Sequence, residues 1–588
     1  MRPGGDAAGL LPTFNDGMSD SETKRLIPPS IDLEQWHEAS AIFTTAAQRF
    51  CELSVSLETQ CTIVNRSSPD LVARVETVIG FMQTALNGQL VRARAALTKV
   101  RNKLSGCSIF HLPDEILADI FIRHVYSLGE YHGMDTMDCR VNYIYQRVHT
   151  LLGVCVTWRR VGIACQDLWT VVPLADDFAA LRYRSLSTQL SLQRASHKSL
   201  HLAISTHHFS PKRLELLAGH WHRFSVVNIW SDSLSREGIL NYLLPISQNC
   251  PPGSLSKLSI RKKSWGWDSE IPRHEKLIDL DTRIYRLIGS LSVFRINGLG
   301  LPWGHISFSH RLVELRIADI LLQNDSKIVS LFTALSSAPE LKVLKLISVV
   351  SFYTGEFSIT PPDVVSLLKL ELLHLERLYF NVLKLILSYI ARGSYHLTLN
   401  LNEETYQEYP DDEEEEPVSA KRLNALLKTA AIDKLILSGY YEHFPWTSPT
   451  GLQDVLRSVP GLKTLVLNHY SITPQLLTSL QPPPNSNFPA QNDVFPQLTR
   501  LEIHGASFAV PLADLKPGFE AVFHSHQIQT MVLGGTFRPE PSADDGEPLD
   551  ENDDVVEWMR RNVPRFHFSR DSRVSRPEGV YEWRLWDI

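Results

Sequence analysis

The sequence predicts an α+α/β chain: an N-terminal helical hairpin, a short three-helix module, and then an irregular α/β solenoid. Three observations carry that prediction. Apolar residues recur at heptad spacing between residues 36 and 105. A helix-start signal with a dense apolar stripe, "IFHLPDEILADIFIRHV", follows at Ile109–Val125. From about residue 190 a string of the form L-x-x-L-x-[LIF] returns roughly every 30 residues, the mark of a repeat array.

At 588 residues the chain exceeds what one compact core can organise. It is 43% hydrophobic and 21% charged, with a net charge of −7, so it lacks the basic surplus that grips phosphates. Nucleic acid is not an expected partner. The cysteines at 51, 61, 107, 139, 155, 165 and 250 are scattered, odd in number and without a C-x-x-C pair. That spacing points to reduced thiols, not to a disulfide framework or a zinc ribbon. "MRPGGDAAGLLPTFNDGMSD" has no apolar core of a secretory signal, and no stretch reaches the apolar length of a membrane span. A cytoplasmic and/or nuclear location with no membrane partner is expected, and the sequons at Asn65 and Asn324 read as chance matches.

Residues 1–35 are rich in Gly, Pro, Asp and Ser and are expected to be disordered. In the segment 36–105, Phe43, Phe50, Leu57 and Val64 stand seven apart, with Ala46 and Leu53 between them. "RSSPD" breaks this seam, and Ser68 can cap a new helix with Pro69 at its first position. Val75, Ile79, Met82, Leu86, Ala93, Leu97, Val100 and Leu104 form the second seam, interrupted at Gln89. Two seamed helices joined by a short break predict an antiparallel hairpin. Both an internal spacer and a self-associating coiled coil fit that pattern.

The next module spans 106–172. Pro113 suits a first helical turn, where its missing N–H costs nothing, and Asp114 and Glu115 complement the positive end of the helix dipole. Ile116, Leu117, Ile120 and Phe121 share one face. A looser polar stretch, "YSLGEYHGMDTMDCR", leads to a second helical string, "VHTLLGVCVTWRRVGIACQDLWTVV".

Residues 173–538 hold the repeats. The template appears as "LSKLSI" (Leu255), "LSVFRI" (Leu291), "LVELRI" (Leu312), "LKVLKL" (Leu341), "LERLYF" (Leu375), "IDKLIL" (Ile432), "LKTLVL" (Leu462), "LTRLEI" (Leu498) and "IQTMVL" (Ile528). A long step after Leu375 hides one irregular member, "LTLNL" at Leu397. "LHLAI" (Leu200–Ile204) and "FSVVNIW" (Phe224–Trp230) read as earlier, less regular strands. Each template reads as a short strand with alternate residues inward, and "PPDVVSLLKL" (Pro361–Leu370) and "KRLNALLKTA" (Lys421–Ala430) as helical returns. One strand and one helix cannot bury their apolar faces alone, whereas stacked neighbours can, which is leucine-rich-repeat logic. An acidic loop interrupts the array at 408–417, and 539–588 reads as an acidic tail with an aromatic C-terminal cap.

Leu112–Phe121, "LPDEILADIF", and Val154–Val172, "VCVTWRRVGIACQDLWTVV", together resemble an F-box of the kind that precedes leucine-rich repeats in large fungal sets of such proteins. The Leu-Pro start, the Ile-Leu-x-x-Ile-Phe helix, the Val-Cys-x-x-Trp-Arg turn and the closing Leu-Trp occur in order. The loop between the helices is longer than the compact family pattern. The resemblance implies docking on a Skp-type adaptor and, through it, on a cullin, with the repeats capturing an unknown protein substrate of a ubiquitin ligase. The adaptor contacts it implies are Leu112, Pro113, Ile116, Leu117, Ile120, Phe121, Val154, Cys155, Trp158, Leu168 and Trp169. Of these, Phe121, Trp158 and Trp169 also suit the module's own core. On the repeats, the concave strand face is the default capture surface, with Glu314, Lys342, Lys463 and Thr464 pointing outward by pattern.

Signatures of catalysis are missing from the sequence: it has no phosphate-binding loop of the P-loop type, no nucleophile elbow and no H-E-x-x-H. His207–His208 and His220/His222 lack acidic or thiol partners at metal-ligand spacing. Cys155, between two valines, reads as buried, and Arg261–Lys263 as a solvated edge. Gly534–Gly535 ends a strand. No catalytic, metal or cofactor-binding residue is expected, and the chain reads as a non-catalytic subunit. The alternative is a non-degradative interaction scaffold built on the repeats.

Overall fold

The computed structural model describes residues 33–64, 69–104, 112–127, 137–174, 184–205, 211–231, 236–262, 280–352, 364–409, 416–439, 444–483, 495–538 and 546–569. Residues 1–32 of the expected disordered start, the Ser68 cap, His207–His208 and the closing aromatic string lie outside these residues, whereas residues 33–35, also expected to be disordered, begin a helix. The chain divides into two compact units, Met1–His111 and Leu112–Ile588.

The first unit is built from long helices: α1 (Leu33–Val64), α2 (Pro69–Phe81), a π-helical turn at Met82–Leu86, and α3 (Asn87–Leu104). Pro69 opens α2, where a missing N–H is tolerated. Both expected seams are present, but neither is buried by the other. Trp36, Phe43 and Phe50 remain 45%, 49% and 44% exposed, and Ile79 and Leu97 are exposed as well. The wider turn at Met82–Leu86 rotates the second seam partway along its length.

The second unit opens with α4 (Asp114–Tyr126), α5 (Met137–Val154) and α6 (Val156–Ala164), and then enters a single 16-stranded sheet. The helical string expected up to residue 172 breaks at Cys155. Its last residues form a 3-10 turn, Gln166–Trp169, and the first strand, β1 (Val171–Leu174). After α7 (Arg184–Arg194) come β2 (Leu200–Ser205), β3 (Phe224–Ser231), α8 (Arg236–Asn249), β4 (Lys257–Lys262), α9 (Thr282–Gly289) and β5 (Val293–Asn297). The middle comprises β6 (Glu314–Asn324), α10 (Asp325–Leu335), β7 (Val343–Phe352), β8 (Leu372–Glu376), α11 (Phe380–Tyr389) and β9 (His396–Leu401). A small separate ribbon, β10 (Gln407–Glu408) with β11 (Glu416–Pro417), precedes α12 (Ala420–Leu427) and β12 (Ile432–Ser438). The end holds α13 (Pro449–Ser458), β13 (Thr464–Asn468), β14 (Ser471–Ile472), α14 (Pro474–Ser479), β15 (Arg500–Phe508) and α15 (Leu512–Ser525). It closes with β16 (Thr530–Phe537), β17 (Glu547–Pro548), α16 (Asp554–Asn562) and β18 (Arg565–Ser569).

Strands β1 to β9, β12, β13, β15 and β16 lie in sequence order, each parallel to the next, which is the topology of an α/β solenoid. One aliphatic ladder crosses the whole sheet. Leu174, Ile204, Ile229, Ile260, Ile296, Ile317, Leu346, Leu375, Leu399, Leu435, Leu465, Leu501, Met531 and Phe566 are successive register partners. All are buried except Phe566, which is half-buried at the edge. The register between β9 and β12 shifts at Ile432/Lys434.

The structure corrects the sequence reading in three places. The template assigned at Leu375 starts five residues earlier, at Leu370, because the strand is Leu372–Glu376 and Leu372 pairs with Val343. The helical return expected at Pro361–Leu370 is not one. Among its described residues, Val365 forms an isolated bridge to Ile390 and the chain then turns. The array also runs past residue 538, since β18 extends the sheet beside β16 and Asp553, within the acidic tail, caps α16. By contrast, the return at Lys421–Ala430 is α12, with Ser419 accepting from the Arg422 N–H as its cap.

The strands turn at a shared corner. Gly298, Asp319, Ser348 and Arg377 follow the paired residues Asn297, Ala318, Ile347 and Glu376, and all four have positive φ, between 48° and 73°. Asn297 Nδ2 donates to Asp319 Oδ2 at 2.7 Å across this corner. Beyond it lies a buried polar cluster. Ser351 Oγ donates to Asp325 Oδ1 at 2.6 Å, and Asn381 Nδ2 donates to the Ser351 carbonyl at 2.9 Å. Burial pushes the Asp325 carboxyl up, against the pull of these donors.

Leu346→Ala, in the middle of the ladder, is expected to lower stability by about 2–5 kcal/mol in urea unfolding, as removal of a buried Leu does. A loss below about 1 kcal/mol would show that the ladder is not the core.

Candidate functional site

The three-helix module has a core of its own. Pro113 precedes α4, and its carbonyl accepts from the N–H groups of Ile116 and Leu117, both at 3.1 Å. Asp114 and Glu115 in the first turn, with Arg123 and His124 in the last, match the helix dipole at both ends. Leu117, Phe121 and Val125, at four-residue steps, turn inward on Val148, Leu151, Val161, Leu168 and Trp169. Trp158 lies against Phe121 with ring centroids 4.9 Å apart. Trp169 donates from Nε1 to the Gly162 carbonyl at 3.0 Å, and a Cβ on Gly162 would stand 2.7 Å from Leu152 Cδ2. A larger residue there would require the Leu152 side chain to shift for α6 to close on α5.

This packing divides the expected contact residues into two groups. Leu117, Phe121, Leu168 and Trp169 are buried, so they hold the module together, and a partner would reach them only by unfolding it. Leu112, Ile116, Ile120 and Val154 are exposed, at 37%, 49%, 38% and 54%, and Pro113 is exposed beside them. Cys155 and Trp158 are half-buried. Cys155 is the cap of α6, its Sγ accepting from the Trp158 N–H at 3.4 Å, and is not the buried core thiol expected from its valine neighbours.

Two residues that the sequence reading did not single out extend the surface: Val156, 79% exposed, and Ile163, 41% exposed, both on α6. Their signal was legible in the seven-residue step between them. Arg160, on the same helix, forks onto Asp114 with bonds of 2.6 and 2.8 Å and ties α6 to the start of α4.

The module is fixed to the sheet by specific bonds. Tyr126 donates to the Asp167 carbonyl at 2.9 Å, and burial lifts its hydroxyl pKa to about 12. Tyr145 donates to the Val171 carbonyl at 2.9 Å, Arg194 stacks on Trp169 at 4.3 Å, and Lys198 pairs with Asp167 at 3.1 Å. Met137 and Val141 of α5 pack on Ala203 and Trp230, so α5 roofs the outer face of β2 and β3.

Further along, that outer face carries a row of basic side chains in register. Arg295, Arg316, Lys345 and His374 are successive partners across β5 to β8. They occupy the fifth position of the template, which the sequence reading passed over. Arg295 forks onto Glu314 at 2.7 and 2.9 Å, and His374 Nε2 meets Glu376 at 2.8 Å. Arg316 is nearly buried, and burial, reinforced by Arg295, brings its pKa down to about 10 against the pull of Glu376 and Glu314. Of the residues expected to point outward, Glu314 and Thr464 lie on this face. Lys342 and Lys463 stand just before their strands, with Lys342 bound to Glu371 at 2.6 Å and Lys463 to Asp433 at 3.5 Å.

A second charged cluster lies near the far end of the face. Glu502 accepts from Arg500 and meets His504 Nε2 at 3.0 Å. Burial alone would raise its pKa, but His504, Lys434 and Arg500 outweigh that and hold the carboxyl down at about 2. Among the described residues no group of three or more His, Cys, Asp or Glu is placed to hold a metal ion, and no helix is long and apolar enough to cross a membrane.

No protein-family model and no curated protein matches the sequence. Solved structures with a similar fold include the leucine-rich repeat-containing protein LegL7 from Legionella pneumophila, at TM-score 0.30 and 12% identity, over 62% of this chain and 97% of that one. Another is the TLR13–ssRNA13 complex, at TM-score 0.28 and 13% identity, over 59% of this chain and 46% of that one. The solenoid assignment itself rests on the parallel sheet order and the register ladder of this chain.

Glu502→Gln tests the electrostatics of the outer face. A carboxyl held near 2 contributes stability above its ordinary value of 4.5 and loses that contribution as the pH falls toward 2. The variant should be less stable by about 1–3 kcal/mol at pH 7, and the deficit should shrink as the pH falls below 4.5 and close only near pH 2 in denaturant titrations. An equal deficit at pH 7 and near pH 2 would rule out the charge network as the cause.

Proposed function

We propose that the protein is the substrate-recognition subunit of a Skp–cullin–F-box-type ubiquitin ligase, docking on a Skp-type adaptor through α4 and α6 and capturing a protein substrate on the repeats. The observation that carries this reading is the division of α4. Leu117, Phe121 and Val125 close the module's core, while Leu112, Ile116 and Ile120, four residues apart, stay exposed at the end of a well-packed unit. A module with a complete core has no internal need for that second stripe, and burying a Leu- or Ile-sized side chain yields roughly 1.5–3 kcal/mol. A few such anchors, ringed by groups that exclude water, are enough for an interface.

The role involves no bond chemistry by this chain. Holding a substrate near a ubiquitin-charged enzyme raises its effective concentration, and the gain depends on a geometry that lets both sites engage at once. The bond from Tyr145 to β1 and the stacking of Arg194 on Trp169 fix the stripe relative to the sheet, which suits a spacer that sets such a distance.

Ile116→Asp with Ile120→Asp places charge on exposed positions and leaves the core untouched, so circular dichroism should be unchanged. The Skp-type adaptor and the cullin are expected to co-purify from cells with wild type and to be lost, at least tenfold, with the variant. Their absence from the wild-type sample would leave the repeats as a non-degradative interaction scaffold.

A further inference from the structure

The apolar seam of α1 has no counterpart in the function proposed above. Its large side chains, Trp36, Phe43, Phe50 and Leu57, stand seven apart, and the positions three residues after each are Ala39, Ala46, Leu53 and Gln60. All eight are exposed. The helix spans 32 residues, enough for four heptads, the length at which a seam of this kind becomes a coiled coil. Large residues therefore run down one edge of the seam, while the other begins with the small Ala39 and Ala46 and continues with Leu53 and Gln60.

We infer that α1 pairs with α1 of a second copy of this chain in antiparallel order, with Phe50 of each copy seated on Ala46 of the other. The argument is steric. In a parallel pair each seam position faces itself, so Phe43 would meet Phe43 and Ala46 would meet Ala46, and bulges would alternate with voids. In an antiparallel pair the two edges face each other, and Phe50 and Leu57 meet the small Ala46 and Ala39. Centred near Gln48, one register satisfies all four heptads. It sets Phe50 on Ala46, Leu57 on Ala39, Phe43 on Leu53 and Trp36 on Gln60, whose amide oxygen suits the indole N–H.

The flanks agree with a second copy as the occupant. Ser40, Ala47 and Ser54 line one flank and are small, so the helices can approach closely there. Gln35, Ile42 and Ser56 line the other, so apart from Arg49 neither flank carries the charge that would select an oppositely charged partner. The seam is self-complementary about its midpoint, as a two-fold interface requires. The register places the two Arg49 side chains near each other beside the axis, and Glu52, one turn further on each helix, offsets them. The chain's own second seam suits α1 less well, because the π turn at Met82–Leu86 rotates it and Gln89 interrupts it.

The test uses the full chain. Light scattering after size exclusion should give twice the 66.6 kDa chain mass, and Phe43→Asp with Phe50→Asp should return it to one chain mass with the urea unfolding of the larger unit unchanged. Orientation is read in a Cys51→Ser, Cys61→Ser background carrying Ser40→Cys and Ser54→Cys. These two positions are about 21 Å apart along one helix, too far for a disulfide within it. Mild oxidation and peptide mass spectrometry should therefore find position 40 joined to position 54, which requires a second, antiparallel copy. A wild-type monomer, a dimer that survives the double Asp variant, or an oxidised link of position 40 to position 40 would each overturn the inference.

Discussion

Everything in the larger unit depends on the parallel register of its strands. A single strand of four to eleven residues has one apolar face and nothing to bury it in. Stacking in sequence order places Leu174, Ile204, Ile229 and their successors in one continuous row, at the roughly 4.8 Å spacing of neighbouring strands. Each helix then needs to cover only the strand beside it. The same constraint fixes the opposite face, because alternate residues must point away from the ladder. The order of Arg295, Arg316, Lys345 and His374 on the outer face is thus a by-product of the order of Ile296, Ile317, Leu346 and Leu375 on the inner one. A repeat that slipped by one residue would move a cation into the core and a leucine into water, so the ladder protects the surface as well as the fold.

The charges on that face are consequently crowded and partly dehydrated. Glu376 is fully buried and Arg316 nearly so, Arg295–Glu314 brings opposite charges together, and His374 and Glu376 share a hydrogen bond away from water. This arrangement buys little stability, but it fixes side chains that would otherwise sample many rotamers. A fixed, mixed-charge face recognises a partner by where charges stand, more than by their sum. At the start of the sheet, α5 covers this face, with Met137 and Val141 on Ala203 and Trp230, so the exposed part of the row begins beyond the module.

The repeats were legible because their signal is spatially simple. Leucines at template positions four and six must both be buried, and sequence spacing alone finds them. The failures share a cause. "LERLYF" and "LELLHL" overlap and both satisfy the template, and only the pairing of Leu372 with Val343 decides between them. Pro361–Leu370 has helical periodicity, yet among its described residues Val365 bridges to Ile390 and a turn follows, so tertiary context overrides propensity there. The left-handed corner at Asp319, Ser348 and Arg377 carries no glycine and left no mark in the sequence. In the three-helix module the apolar stripe was visible as one set. Its division into Leu117 and Phe121 inward and Ile116 and Ile120 outward needed the positions of α5 and α6.

That division also separates the two kinds of exposed apolar surface in the chain. On α4 the exposed stripe belongs to a helix that already has a core, so removing a partner from it leaves a folded module. On α1 none of the described side chains is buried, and the helix gains no packing from its own unit. Helical propensity sustains such a helix only marginally in water, since most helical stability in proteins comes from burying an apolar face. A partner for α4 therefore adds an interaction to a structure that stands without it, whereas a partner for α1 supplies the packing that holds the helix. The first kind of contact can exchange as partners come and go. The second is bound up with folding, and its strength should track the concentration of whatever completes the seam.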